Sequence, residues 1–474
     1  MRKLAAVALA LPSLALASGY SLPNSNPRDL GVSASAVAAQ SDSGAAYTLP
    51  AALAKLNGPS ARVAGGGVLL MVDWKDPTGV GGPAGAAGTA SVNQKLTAIG
   101  NLSIAYGGKL AALGDRGWGV GFGIQPYGGS IVDWSGDWAG RYRIIKVDRQ
   151  VFSGVLTAGI EVIPRVRVGG GAVYYYTTEE LKQHAFMAPF APGSNPLNPA
   201  TWNLAQPDAS VTLTADGGAW SYDVSAEAQP LADLPLTIAV DYKHKGSQTL
   251  KGDVKWQGLT PTALALAQLN PAVAGIFANQ NAQQGLTIPN TLNIGTSYRV
   301  SKPLLVMLTY TFDRWIVYNE DVFTGANGAQ LAVPRNYSNG WTLRGGAEYD
   351  LNEMWTVRGG LQYDHSGLDP KHYSPTLPDA TTWAASLGGT VRFKHGLSLD
   401  AGVFYAWFNE VKAEDPNPAT CGTGIEPGIY PPGSLCGNVA PQALTTPEGT
   451  FRGTYNTNAF IFGVSLGWTP GATL

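Results

Sequence analysis

Between Trp341 and Asp364 the chain changes face at every residue. Trp341, Leu343, Gly345, Ala347 and Tyr349 fall on one side, and Thr342, Arg344, Gly346, Glu348 and Asp350 on the other. A tight turn is expected at Leu351-Asn352-Glu353. Beyond it Trp355, Val357, Gly359, Leu361 and Tyr363 alternate with Thr356, Arg358, Gly360, Gln362 and Asp364, and the period returns in Leu397 to Phe408. A period of two belongs to a strand with one apolar and one polar face. Stretches of about ten residues with Trp or Tyr at their ends have the length and the girdles of tilted membrane strands.

The start of the chain says which membrane. Arg2 and Lys3, the apolar run Leu4 to Ala17, and Ala15-Leu16-Ala17 ahead of Ser18 make a secretory signal, cut after Ala17. No uninterrupted apolar run of about eighteen residues follows, so a helical span is not expected. Charged residues are 14% of the chain, against about 25% in soluble domains. A secreted β-helix or sandwich could share the 60 glycines but not so few charges together with such Tyr- and Trp-rich strands. Mean hydropathy is near zero, as expected of strands that turn alternate side chains to lipid and to a polar lumen. No sheet edge can stay unpaired in lipid, so the sheet must close. The expected fold class is all-β, a transmembrane antiparallel β-barrel of the Gram-negative outer membrane. Its length supports an even number of strands, roughly twelve to sixteen.

Other strands are expected at Leu102 to Gly107, Gly117 to Ile124, Gly159 to Tyr176, Trp220 to Ala228, Pro235 to Lys243, Leu292 to Val300, Leu304 to Trp315, Thr382 to Phe393 and Phe460 to Trp468. Residues 18–65 differ in being small, weakly apolar and nearly free of charge, with a short helix expected at Leu49 to Leu56, where Pro50 suits the first turn. This segment lacks the bulk for a core of its own but could pack inside a larger structure. The domains are therefore a signal peptide (1–17), an N-terminal segment (18–65) and a barrel (66–474). Long loops at Pro77 to Ala90, Phe186 to Asp208, Gly258 to Asn290 and Ala413 to Thr450 belong outside the cell. The third could hold a helix between Ala263 and Gln280. Phe186, Met187 and Phe190 are candidates for an external apolar groove, although loop packing would explain them equally well.

Several functions are disfavoured. The formal charge of -2 becomes about -4 once Arg2 and Lys3 are removed, which makes no case for nucleic acid. His184, His244, His365, His372 and His395 are scattered without ligand spacing, so no metal or other cofactor is expected. Asp364 adjoins His365, but no serine elbow accompanies them, and no enzyme is expected. Cys421 and Cys436 are expected to close one loop as a disulfide in an oxidising compartment.

These residues resemble the long-chain fatty acid and hydrocarbon transporters of the FadL/TodX family. The likeness is carried by Ser18-Gly19-Tyr20-Ser21-Leu22 with Leu30-Gly31, and by Trp118-Gly119-Val120-Gly121-Phe122-Gly123 followed by Pro126-Tyr127-Gly128. It continues in Pro289 with Leu292-Asn293-Ile294-Gly295-Thr296-Ser297-Tyr298-Arg299, and in Trp341 to Tyr363 through Leu377-Pro378-Asp379. The resemblance implies about fourteen strands, an N-terminal hatch of short helices inside the lumen, and a lateral exit where a strand kinks inward. It also implies passive uptake of hydrophobic compounds, with barrel assembly machinery and outer-membrane lipid as partners and a monomeric state. Long-chain fatty acids are the first expectation, aromatic or aliphatic hydrocarbons the second, and a surface adhesion or structural barrel the alternative of another class. A water-filled porin would be obstructed by the hatch. Two departures stand out. The family's Asn-Pro-Ala in the hatch is Leu49-Pro50-Ala51 here, and the chain runs past Trp468 instead of ending in Phe.

Such a transporter needs no nucleophile, only an apolar cavity with a few polar groups. Leu49, Pro50 and Ala51 are gating or plugging candidates. Among the expected lumen charges Arg344, Glu348, Arg358, Asp364, Arg392 and Asp400, cross-strand pairing is the first reading. Any of Arg344, Arg358 and Arg392 could instead pair with a ligand carboxylate. Trp315 is expected in the aromatic girdle.

Overall fold

The computed structural model describes residues 19–76, 88–413 and 453–470, apart from 20, 23–25, 196–197, 199–200, 204, 270–276, 327 and 329. The signal peptide and both cysteines lie outside the described residues. Fourteen antiparallel strands close into one barrel. The first six are continuous: β1 (Gly58–Asp76), β2 (Thr97–Leu110), β3 (Arg116–Asp133), β4 (Lys146–Ile163), β5 (Val166–Ala185) and β6 (Ala209–Ala228). The next four are each broken once. These are β7 (Leu236–Lys243 and Gly246–Gln257), β8 (Gln280–Ile288 and Thr291–Arg299), β9 (Leu304–Asp313 and Glu320–Gly325) and β10 (Gln330–Pro334 and Gly340–Asp350). The circle is completed by β11 (Trp355–His365), β12 (Thr382–Arg392), β13 (Leu397–Phe408, continued in Val411–Ala413) and β14 (Gly453–Trp468). Closure is by β14 on β1, from Ala61 opposite Trp468 to Lys75 opposite Thr454.

The faces follow the alternation in the sequence. Leu343, Tyr349, Val357, Leu361, Leu399, Val403 and Tyr405 are exposed to lipid, while Thr342, Thr356, Arg358, Gln362, Asp364 and Asp400 are buried in the lumen. Most strands run longer than expected, and the expected loop Gly258 to Asn290 contains the strand Gln280–Ile288; three further differences have a clear cause. β1 starts at Gly58, ahead of 66, because Gly and Ala at Ala61, Ala64 and Gly65 to Gly67 leave almost no apolar signal there. Gly159 to Tyr176 is two strands joined at Pro164-Arg165, where Arg165 takes the turn with a φ of 70°. Trp315 is not in the girdle. It lies on an inward turn, Trp315–Val317, with none of its surface exposed.

Residues 26–57 fill the lumen as short helices, Pro27–Leu30 and Ala45–Thr48, and 3-10 turns, Val37–Ala39 and Pro50–Lys55. Asn26 caps the first helix by accepting the Arg28 amide at 3.2 Å, and Pro27 fits the first turn, which has no use for its missing N–H. The hatch can sit against the wall because the wall facing it is bare. A Cβ added to Gly119 would lie 2.3 Å from the Leu53 carbonyl oxygen, one on Gly159 2.3 Å from that of Pro50, and one on Gly402 2.4 Å from that of Pro27. Those glycines allow backbone to approach backbone. Gly119→Val is therefore expected to unseat the hatch while the barrel still closes, read as new protease cleavage before residue 58. Gly65→Ala, with nothing within 4 Å of the added Cβ, is the silent control.

Candidate functional site: the cavity between hatch and wall

The hatch is held by buried ion pairs. Arg62 on β1 binds Asp42 of the hatch at 2.7 Å and also reaches Asp400 on β13. Arg28 of the hatch lies 3.3 Å from Asp42 and 3.6 Å from Glu348 on β10, and Glu348 in turn pairs with Arg358 on β11. Lys55 binds Glu227 on β6 at 2.9 Å. Burial alone would raise the Asp42 pKa, but Arg62 and Arg28 hold its carboxyl below the usual range. Asp29 is pushed by burial up to about 6, with Asp42 adding to the rise, despite Arg28, the Gln40 amide that donates to it at 3.2 Å, and Arg62.

Leu49, Pro50 and Ala51 enter and form the 3-10 turn Pro50–Lys55 against the wall. All three residues are buried, and the Ala51 amide donates to Ser225 Oγ at 2.9 Å.

Above the hatch lies a cavity of about 150 Å³. One end touches Gln125, Pro126 and Tyr127 on β3. The other meets Lys243, Asn293, Thr311, Asp313 and Arg344 on β7 to β10. The β3 end is a wall irregularity. β3 pairs with β2 only as far as Ile124 opposite Leu102, and its register with β4 slips between Pro126 and Gly128. Backbone from the N-terminal segment stands in for the missing partner. Leu22 donates to the Tyr127 carbonyl at 2.9 Å, and Ser21 bridges Gly128.

The three candidate arginines separate clearly. Arg358 belongs to the hatch network, with Asp400 3.8 Å away in addition to Glu348. Arg392 faces Asp350 at 3.4 Å, beside the short turns. Arg344 alone lines the cavity. Its Nε donates to Gln362 at 3.0 Å and its Nη1 to Thr311 at 2.5 Å, and it makes no ion pair among the described residues. Lys243, by contrast, is claimed by Asp223 at 3.1 Å and Asp241 at 2.5 Å.

Phe186, Met187 and Phe190 are remote from the cavity and buried in the extracellular loops. Phe186 packs edge-on to Tyr142 and Trp202, and Phe190 packs against Phe277 with Met187 nearby. The helix Pro261–Leu269 covers that cluster and exposes Leu264 and Leu269 outward. The glycine bed is not among the features expected from the sequence. Its signal was present in Trp118 to Gly123, where glycine takes every inward position.

A plugged, closed barrel with polar charge pairs inside and apolar residues outside defines an outer-membrane transport channel. The chain belongs to the outer membrane protein transport family OMPP1/FadL/TodX, whose model matches residues 8–469. It is thus an outer-membrane transporter of hydrophobic compounds, in a family of channels. A Pseudomonas aeruginosa FadL homologue is similar in fold, with a TM-score of 0.76 at 20% identity over 95% of this chain and 100% of that one. The P. putida toluene transporter TodX superposes with a TM-score of 0.61 at 13% identity over 90% and 94%. A Neisseria meningitidis serogroup B outer membrane protein, NMB0088, is 27% identical over 143 residues, 28% of this chain and 29% of that protein.

Two outcomes test the seating of the hatch. Arg62→Met leaves Asp42 and Asp400 buried without their cation, and should cost about 3–5 kcal/mol, measured as a lower denaturant midpoint for protection of the hatch. Asp29 has a folded pKa of about 6 against an ordinary 3.8. The native state therefore binds more protons between these values, and stability from this group is full below the lower one and is lost as pH rises through the upper one. Protease resistance of the hatch should fall from about pH 4 to pH 7, and Asp29→Asn should flatten that slope.

Proposed function

We propose that this protein admits long-chain fatty acids across the outer membrane by passive diffusion, with the carboxylate passing through the cavity beside Arg344 and the chain leaving sideways at the β3 kink. The observation that carries this is a guanidinium lining the cavity whose hydrogen bonds go to the neutral side chains of Gln362 and Thr311, while the carboxylates of Asp364 and Asp313 act on it only from nearby. Its planar fork suits a two-oxygen anion.

Size alone does not choose the substrate. A dry apolar cavity of about 150 Å³ can hold one aromatic ring, and the volume here is the same. Chemistry chooses. Lys243, Asn293, Thr311 and Asp313 already bond within the wall, but the Arg344 guanidinium meets neutral Gln362 and Thr311, and covering it with bare hydrocarbon would strip hydration at a cost of roughly 1–3 kcal/mol. A head group that forms hydrogen bonds avoids that loss, and its apolar tail can extend beyond the cavity. Asp313 lies at the same end of the lining as Arg344, so a carboxylate bound there meets both.

The test is retention of palmitate and of toluene by the purified barrel, measured by native mass spectrometry. Arg344→Met should weaken palmitate about tenfold or more, as expected for a charged hydrogen bond of roughly 1.5–3 kcal/mol, and leave toluene unchanged. Equal loss of both, or toluene retained and palmitate never, would replace the fatty acid with a hydrocarbon. Retention of neither by a folded barrel would favour a structural or adhesive role.

A further inference from the structure

A second break in the wall lies across the lumen from the β3 kink. On β9, regular pairing stops at Asp313, opposite Thr291 on β8 and Gly340 on β10. It resumes only at Glu320 opposite Pro334 and at Val322 opposite Gly285. Between these points β9 dips inward as the turn Trp315–Val317, and β10 is interrupted from Pro334 to Gly340. Side chains close the wall here instead of a ladder. From inside, Trp315, Tyr318 and Tyr337 form a buried trio with ring centroids 5.4 to 6.2 Å apart. From outside, Ile316 is 52% exposed, just beyond the stacked girdle residues Tyr310 and Trp341.

The break communicates with the cavity. Thr311 and Asp313, immediately ahead of it, line the same space that reaches Pro126 and Tyr127. The N-terminal segment touches both sides. A Cβ on Gly19 would lie 2.6 Å from the Trp315 ring, and the Leu22 amide is bonded to Tyr127.

We infer that the β9–β10 break is a second lateral window, open to the outer leaflet when Trp315 swings aside, through which the barrel takes an acyl chain already dissolved in the bilayer. The occupant follows from partition. Each methylene favours the bilayer over water by about 0.8 kcal/mol, so a long-chain ligand at the cell surface resides mainly in the leaflet. A window at girdle height samples that larger pool, whereas the extracellular loops sample the smaller one in water. The inference rests on the uptake proposed above.

The experiment uses the full mature barrel in lipid nanodiscs containing palmitate with a diazirine at its terminal carbon. After illumination the labelled residues are mapped by mass spectrometry. Ile316 and the 335–339 segment should be labelled several-fold above other lipid-facing residues such as Leu308 and Leu343. Trp315→Ala should raise labelling of the cavity wall at Thr311, and the map of the unaltered protein stands alone if that variant does not fold. Lumen labelling that spares Ile316, or labels it no more than Leu308, would overturn the window and leave uptake intact. Lumen residues left unlabelled altogether would overturn uptake itself.

Discussion

Inside a bilayer every backbone amide and carbonyl must find its partner within the protein, because hydrocarbon offers none. This constraint produces the closed circle of strands and the long register of β14 on β1. It also makes any lapse in pairing informative. At the β3 kink the lost neighbour is replaced by backbone from Ser21 and Leu22. At the β9–β10 break Asn319 accepts the amides of Arg335 and Asn336 at 2.7 and 3.0 Å, and the Asn339 side chain accepts from Ile316 at 3.4 Å. Both repairs use single segments or side chains where a ladder would use many bonds. At the β9–β10 break buried side chains add to these bonds, with Arg335 and Tyr318 both donating to Asp321 at 2.7 and 2.9 Å, so an opening there parts side-chain contacts and not a ladder.

The same constraint explains what fills the lumen. The hatch meets the lumen in three ways: its backbone lies against glycine, its charges pair across to the wall, and Tyr47, Leu49 and Leu53 join an apolar cluster with Val151, Val155 and Leu250. Arg62 is the hinge of that arrangement, since it joins β1, β13 and the hatch through Asp400 and Asp42. A buried pair is weak evidence for net stability, because desolvation offsets most of the attraction. Its value here is positional. The chain from Arg28 through Asp42 and Arg62 to Asp400 permits one seating of the hatch.

Much of this was legible before the structure. β10 to β13 declared themselves because large apolar side chains alternate with charges, and the Leu351-Asn352-Glu353 turn falls between them. The N-terminal half of β1 did not, since Ala and Gly carry little hydrophobic contrast. The Pro164-Arg165 turn was hidden because its positive φ is taken by arginine, not by the usual glycine or asparagine. Trp315 misled for a related reason. An aromatic at a strand end reads as girdle, and only the lapse in pairing on both sides of β9 turns it inward. Of the candidate site residues, Arg344, Arg358 and Arg392 share one sequence pattern. Their separation depends on which carboxylates the closed barrel brings near, and that information is not local.

The proposed uptake, which has no energy source, requires that each stage bind weakly enough to release. Arg344 meets this condition through what surrounds it. Gln362 and Thr311 satisfy part of its fork, so the guanidinium is not left bare in the absence of ligand, yet neither carries the charge that would hold it closed. A carboxylate arriving there gains a charge-assisted contact and gives up its hydration. Asp313 and Asp364 lie near the same guanidinium and weaken its hold on an anion. On the proposed uptake the cavity is suited to passing an amphiphile through, and the two lapses in ladder pairing at its ends provide directions in which an apolar tail can leave water behind at every step.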